Sequence, residues 1–322
     1  MLTMDKWLRR VGIAATIVMF LVMIGGSLVT KTGSALGCGN DWPLCNGKFV
    51  PEYTLESIVE YMHRLVTGLA GIVVLVFVIM AWRRYPRSRQ VRALSVFAGF
   101  FLIVESLLGA SAVMWPQSPP VMALHFGLSL LAFAGVFLLM LFVLQREKEE
   151  SLVSQPVSAG FRRYVWAVTI YAYGVVYIGA YVRHTNASLA CPDWPLCRGS
   201  LIPELSGLVA VQFFHRVCAA ILFFLILVIA VYAVRHYKVK RRDVYKASIL
   251  ALILVGIQVL SGGWVVYSRL IIYATLFHSA VITCLFGVLC YLCLQALKQP
   301  QDSKQEKSLI EPNPSAVTWQ KV

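Results

Sequence analysis

Residues 26–52 read GSLVTKTGSALGCGNDWPLCNGKFVPE, and residues 179–204 read GAYVRHTNASLACPDWPLCRGSLIPE. The two stretches are one motif written twice. Cys38 and Cys191 are 153 residues apart, and Trp42 and Trp194, like Cys45 and Cys197, are 152 apart. The register carries on well beyond the motif. His63 pairs with His215 at 152, while His125 pairs with His278 and Glu105 with Gln258 at 153. A self-match over so long a period marks a duplicated structural unit, so the fold has to be solved for one half and then doubled.

The sequence flanking each motif is hydrophobic enough to cross a bilayer. Crossing a hydrocarbon core of about 30 Å takes about 20 apolar residues in a helix. Eight runs meet that length, at about 11–29, 57–82, 93–114, 121–144, 164–182, 209–234, 247–266 and 272–297. Apolar residues make up 59% of the chain and charged residues 14%, with a mean hydropathy of +0.73. Soluble domains hold about 45–50% and about 25%. A soluble enzyme, a disordered chain and a secreted disulfide scaffold are excluded. The fold class is an all-α integral membrane protein with eight transmembrane helices.

The net charge of +14 comes from 29 Lys and Arg against 15 Asp and Glu. Assigned to alternate ends of the eight spans, 22 of the 29 fall at the end that holds the termini and 7 at the end that holds the two motifs. The positive-inside rule then predicts cytoplasmic N- and C-termini, with the Cys-containing loops extracellular. The basic excess is topological, and nucleic acid is not an expected partner; the lipid bilayer is. Lys6, Arg9 and Arg10 ahead of the first run also fit a signal peptide. The run is read as a span because its repeat partner, 164–182, is internal.

Four spans per half is an even number, so both halves have the same orientation. That is a parallel repeat rather than the inverted repeat common in transporters. The expected organisation is an N-terminal four-helix bundle at 1–150, a cytoplasmic linker at 151–163, a C-terminal four-helix bundle at 164–298 and a disordered cytoplasmic tail at 299–322.

Four of the six histidines, His63, His125, His215 and His278, stand near the starts of spans 2, 4, 6 and 8. All four spans run inward, so the imidazoles share one depth, two in each half. Ionisable groups inside a membrane default to function. Two histidines on facing helices can hold a planar heme iron from both faces, whereas zinc or copper wants further ligands close by. Bis-histidine heme, one site per half, is the expected chemistry, against the plainer reading of interfacial histidines. Arg64 and Arg216 follow a histidine directly, and either pair with heme propionates or snorkel. His236 lies in a basic loop, and His184 aligns with Lys31.

The cysteine pairs Cys38–Cys45 and Cys191–Cys197 are expected to form one disulfide per outer loop, with a redox-active or metal-binding pair as the alternative. Cys218, Cys284, Cys290 and Cys293 lie within spans and read as packing residues. The halves differ at Glu60, which aligns with Gln212 and precedes His63 by three residues on one helix face. That carboxylate makes the first half the reactive candidate, with Glu56 as the alternative. Glu105, near the middle of span 3, stands opposite Gln258 and is expected to be protonated or paired.

Together, the paired loops TGSALGCGNDWPLCNG and HTNASLACPDWPLCRG, the helix starts EYMHR and QFFHR, and His125 and His278 resemble the heme A synthases, the eight-span bacillar form most of all. The resemblance covers about residues 8–297. It implies oxidation of the position-8 methyl of heme O to a formyl group, giving heme A for aa-type terminal oxidases. Carried onto this sequence, it implies His63 and His125 as iron ligands of the substrate heme O. It further implies His215 and His278 as iron ligands of a retained heme B cofactor, Glu60 as the catalytic residue, and the two outer disulfides. Heme O synthase is the implied donor, and an electron acceptor of unknown identity is required. The rival reading is a membrane bis-histidine b-type cytochrome passing electrons from quinol. A heme or metabolite transporter and a thiol-based assembly factor are further rivals.

Overall fold

The computed structural model describes residues 2–115, 118–146 and 155–298. It is helical throughout, apart from two isolated bridges in the Cys loops. Eight helices are long and apolar enough to cross a membrane. They are α1 (Leu2–Thr32), α2 (Leu55–Arg84), α3 (Arg89–Met114), α4 (Pro119–Gln145), α5 (Ala159–His184), α6 (Gly207–Tyr237), α7 (Arg242–Tyr267) and α8 (Ile272–Leu297). Each contains one of the eight apolar runs and most extend past it by a few residues. The extra residues include Arg9, Arg10, Arg83, Arg84, Arg162, Arg163 and Arg235, which suit the interface. The tail at 299–322 and residues 151–154 of the expected linker lie outside the described residues, and residues 159–163 of that linker are the first turn of α5.

Local chemistry sets the helix starts. The Ser57, Val91 and Phe161 amides donate to the side chains of Thr54, Ser88 and Ser158, which cap α2, α3 and α5. Each cap satisfies an amide that the helix leaves without a partner. Pro119 and Pro120 open α4, where a missing N–H costs nothing.

The helices are not equivalent in burial. Packing runs α1 with α2 and α4, α3 with α4, and in the second half α5 with α6 and α7 with α8. Across the halves, α4 meets α5 and α8, and α1 meets α8. The central four are therefore α1, α4, α5 and α8. Leu130, Leu139 and Val136 on α4 and Leu285, Leu289 and Leu292 on α8 are fully buried there. Helix α3 buries little beyond Val91, Leu94, Ser95 and Ala98 and exposes Val96, Phe100, Ile103 and Leu107, as suits a lipid-facing helix. Polar contacts among the described residues also bridge the halves: Arg183 donates to the Ser27 carbonyl at 2.5 Å, Tyr291 to Gln145 at 3.0 Å and Tyr177 to the Pro120 carbonyl at 3.2 Å.

The Arg-rich end is pinned by ion pairs. Arg84 meets Asp5 at 2.7 Å. Arg241 is fully buried; it pairs with Asp243 at 2.8 Å and donates to the carbonyls of Gln155 and Gln295. A guanidinium without water needs all of these acceptors, and together they tie the segment entering α5 to the end of α8.

Candidate functional site

The two Cys loops are built alike. Each leaves its helix through a short 3-10 turn, Ser34–Leu36 or Ala187–Leu189. Each closes with a disulfide, Cys38–Cys45 or Cys191–Cys197, whose sulfurs are buried. Gly37 lets the first loop touch the start of α2: a Cβ there would sit 2.3 Å from the Glu56 carbonyl carbon. Ser57 donates to the Gly37 carbonyl at 2.5 Å.

One residue of the following helix anchors each loop. The Cys38 amide donates to Glu60 Oε2 at 2.8 Å, and the Cys191 amide to Gln212 Oε1 at 2.5 Å. Glu60 and Gln212 are both buried, whereas Glu56, the alternative carboxylate, is exposed. The remaining atoms differ. Glu60 Oε1 accepts from Arg64 at 2.5 Å, and Gln212 Nε2 donates to the Ser188 carbonyl at 2.6 Å.

Arg64 and Arg216 face the loops. Arg64 Nη1 donates to the carbonyls of Asp41 and Leu44, both at 2.7 Å. Arg216 Nη1 donates to those of Asp193 and Leu196, at 2.8 and 2.7 Å. Arg216 Nη2 also reaches the Cys191 carbonyl at 2.9 Å. Arg64 Nε is buried without a partner. These guanidiniums hold the loops over the helix ends. Asp193, half-buried in the second loop, accepts from the Gly199 and Arg198 amides at 2.7 and 2.6 Å. Those bonds, the Gly199 amide first, hold its carboxyl below the ordinary carboxylate range.

Beneath the loops lie the histidines. His63 on α2 and His125 on α4 are within electrostatic reach of each other, as are His215 on α6 and His278 on α8. Each ring rests against a glycine of the preceding helix. A Cβ at Gly25 would meet His63 Nδ1 at 2.9 Å, and one at Gly179 would meet His215 Cε1 at 2.8 Å. At Gly109 and Gly262 a Cβ would approach the Cε1 of His125 and His278 at 3.4 Å. The Nδ1 atoms of His63, His125 and His215 are buried with no partner. Burying an unpaired ring nitrogen is costly, so these three rings fit a bound group rather than a closed core, whereas His278 has a polar neighbour at each ring nitrogen.

The second asymmetric position also belongs here. Glu105 Oε1 lies 3.6 Å from His125 Nε2 and accepts from Ser129 at 2.7 Å. Gln258 Nε2 lies 3.1 Å from His278 Nε2. Glu105 and Ser129 also line a narrow cleft inside the first bundle, walled by Met19, Met23, Thr67 and Leu102. Glu105, expected to be protonated or paired, has Ser129 as a hydrogen-bond partner and His125 as a neighbour, a proximity the sequence does not reveal. The glycine supports were also missed, although Gly26 and Gly179, like Gly109 and Gly262, recur 153 residues apart.

Residues 50–290 match the COX15-CtaA family, described as cytochrome oxidase assembly protein. The chain belongs to that family. All four histidines and both asymmetric Glu/Gln positions of this COX15-CtaA member lie inside the match. The similarity extends to proteins named heme A synthase. One from Geobacillus kaustophilus (strain HTA426) is 47% identical over 296 residues, covering 92% of this chain and 93% of the relative. One from Bacillus licheniformis is 46% identical over 294 residues, covering 90% and 96%. One from Bacillus mycoides (strain KBAB4) is 40% identical over 306 residues, covering 95% and 98%.

Proposed function

We propose that the protein is a heme A synthase, a membrane oxidoreductase that converts the position-8 methyl of heme O into a formyl group for aa-type terminal oxidases. One observation carries the reading beyond the names of its relatives. Two similar histidine pairs sit in two similar bundles, but carboxylates stand beside the pair in the first half only. Glu60 and Glu105 there face Gln212 and Gln258 in the other half.

In this reading His63 and His125 hold the substrate heme O, and His215 and His278 hold heme B. The glycine supports and the unpartnered ring nitrogens favour flat ligands wedged between helices. The isoprenoid tail of heme O is apolar and suits the lipid-facing flanks of the first bundle. When bound, heme B supplies a one-electron acceptor within the protein.

The chain's own groups orient and stabilise. Oxidising a ring methyl builds positive charge on a carbon at the porphyrin edge. Glu60, fixed between the Cys38 amide and Arg64, is a pre-oriented negative group one turn from His63. Such a group stabilises developing positive charge without reorganising. The Arg64 Nε hydrogen, buried and unpartnered, is free for a heme propionate. The disulfide loops, drawn down by Arg64 and Arg216, cover the pockets and keep water from them. The Cys loops face the outside and the termini the cytoplasm, following the distribution of basic residues. Heme O synthase is the donor of the substrate.

The test is coexpression with a heme O synthase, followed by extraction and identification of the hemes. Heme A beside heme B is the expected outcome. Heme B with unaltered heme O would return the protein to the membrane-cytochrome reading, which has no use for carboxylates confined to one half.

A further inference from the structure

The two halves also differ in what holds the second histidine of each pair. His278 has both ring nitrogens engaged. Ser261 Oγ lies 2.8 Å from its Nδ1, and the Gln258 amide lies 3.1 Å from its Nε2. The Ser261 hydroxyl hydrogen is spent on the Gln258 carbonyl, at 2.9 Å. With its own hydrogen committed, Ser261 Oγ can only accept from the ring. The relay therefore runs from His278 Nδ1–H to Ser261 and on to the α7 backbone. It fixes the ring through Nδ1.

At the corresponding place in the first half, 153 residues earlier, stands Leu108. It has no acceptor to offer, and His125 Nδ1 is buried with no partner. The polar contact made by His125 is on the other nitrogen, where Glu105 lies 3.6 Å from Nε2. Glu105 thus sets a carboxylate beside the nitrogen of His125 that corresponds to the one Gln258 meets with an amide in the second half. One ring is therefore held through its Nδ1 and the other is not.

We propose that Ser261 is a positioning residue that makes the heme B site permanent, and that Leu108 with Glu105 keeps the first site exchangeable, so that product can leave it. The inference rests on the heme assignment above and deepens it. An acceptor on the far nitrogen of a ligating histidine fixes the ring and raises its basicity, and its loss lowers metal affinity about 10–100-fold. A more basic ligand favours ferric iron, so the same contact lowers the reduction potential. A synthase needs this division of labour: one heme must survive many turnovers, and the other must be released in each.

The experiment uses the full-length purified protein and reads the heme B midpoint potential and the rate of heme B transfer to apomyoglobin. Ser261→Ala should raise the potential and speed transfer by about 10–100-fold. Ser261→Thr, which keeps the hydroxyl, should restore both. Leu108→Ser should raise the amount of heme copurifying with the first half. His278→Ala is the reference for the underlying assignment and should lose heme B. Heme B retained in His278→Ala would overturn the assignment and this inference together. If His278→Ala loses heme B while Ser261→Ala keeps the wild-type potential and transfer rate, the assignment stands and the role of Ser261 falls. Because Ser261→Thr and Leu108→Ser have opposite expected effects on retention from Ser261→Ala, a general loss of fold cannot imitate the pattern.

Discussion

The Glu60 carboxylate accepts the backbone N–H of Cys38 at 2.8 Å, joining helix α2 to the disulfide loop above it. This bond predicts different outcomes for two substitutions. Glu60→Gln keeps an acceptor for Cys38, as Gln212 does for Cys191, and removes the ion pair with Arg64. The protein should fold and retain heme B, and heme A yield should drop by about tenfold or more, with heme O accumulating. Glu60→Ala also orphans the buried amide, costing about 1–3 kcal/mol, and should lower the melting temperature. Glu56→Gln, at an exposed site, is the control. Heme A at near wild-type yield from Glu60→Gln would transfer the catalytic role to another carboxylate.

Gly25 and Gly179 should behave as paired probes of the two sites. A methyl at Gly25 would press on His63 and one at Gly179 on His215. Gly179→Ala is expected to lose the low-spin heme B absorbance. Gly25→Ala should keep that spectrum and lose heme A formation. At Gly26 a Cβ would lie 3.6 Å from the His63 ring, an ordinary contact, so Gly26→Ala should be mild. Equal effects of all three on both hemes would argue against two separate pockets.

Peptide mapping without reductant should recover Cys38 linked to Cys45 and Cys191 linked to Cys197. Closing so short a loop is worth on the order of 2–3 kcal/mol. Replacing both cysteines of one loop by serine should loosen that loop first, read as faster amide exchange there than in the transmembrane helices. Four free thiols at these positions in protein purified without reductant would contradict the structure.

Asp193 makes the second loop sensitive to acid. Its carboxyl titrates below the ordinary value because the folded loop donates the Gly199 and Arg198 amides to it. A depressed folded value means stabilisation that is present above the unfolded value of about 3.9 and is lost as pH falls through the folded one. Protection of the Gly199 and Arg198 amides against exchange, corrected for the intrinsic rate, should therefore decline below about pH 4. Asp193→Asn should lose that pH dependence. Unchanged protection down to the lowest pH at which the helices persist would remove Asp193 from the account.

The helical architecture was legible because it rests on local quantities. A run of about 20 apolar residues has one inexpensive fate in a bilayer, a helix that satisfies its own backbone. The eight runs are therefore visible without tertiary information. The repeat is equally local, since matching Trp42 to Trp194 and His63 to His215 needs only counting. The loop contacts were not legible: that Arg64 would grip the carbonyls of Asp41 and Leu44 depends on where the loop folds back.

By itself the sequence determined the eight spanning helices, that both Cys loops lie at the same end of the bundle, and which residue types stand at matching places in the halves. Only the tertiary structure decided which helices are central and which neighbour each histidine meets. Hydropathy is blind to the first, because lipid and protein interior are equally apolar and neither face of a spanning helix is marked by it. It is blind to the second because Glu105 reaches His125 from another helix, 20 residues away in the chain, as Ser261 reaches His278 from 17. Those contacts exist only once the helices have packed.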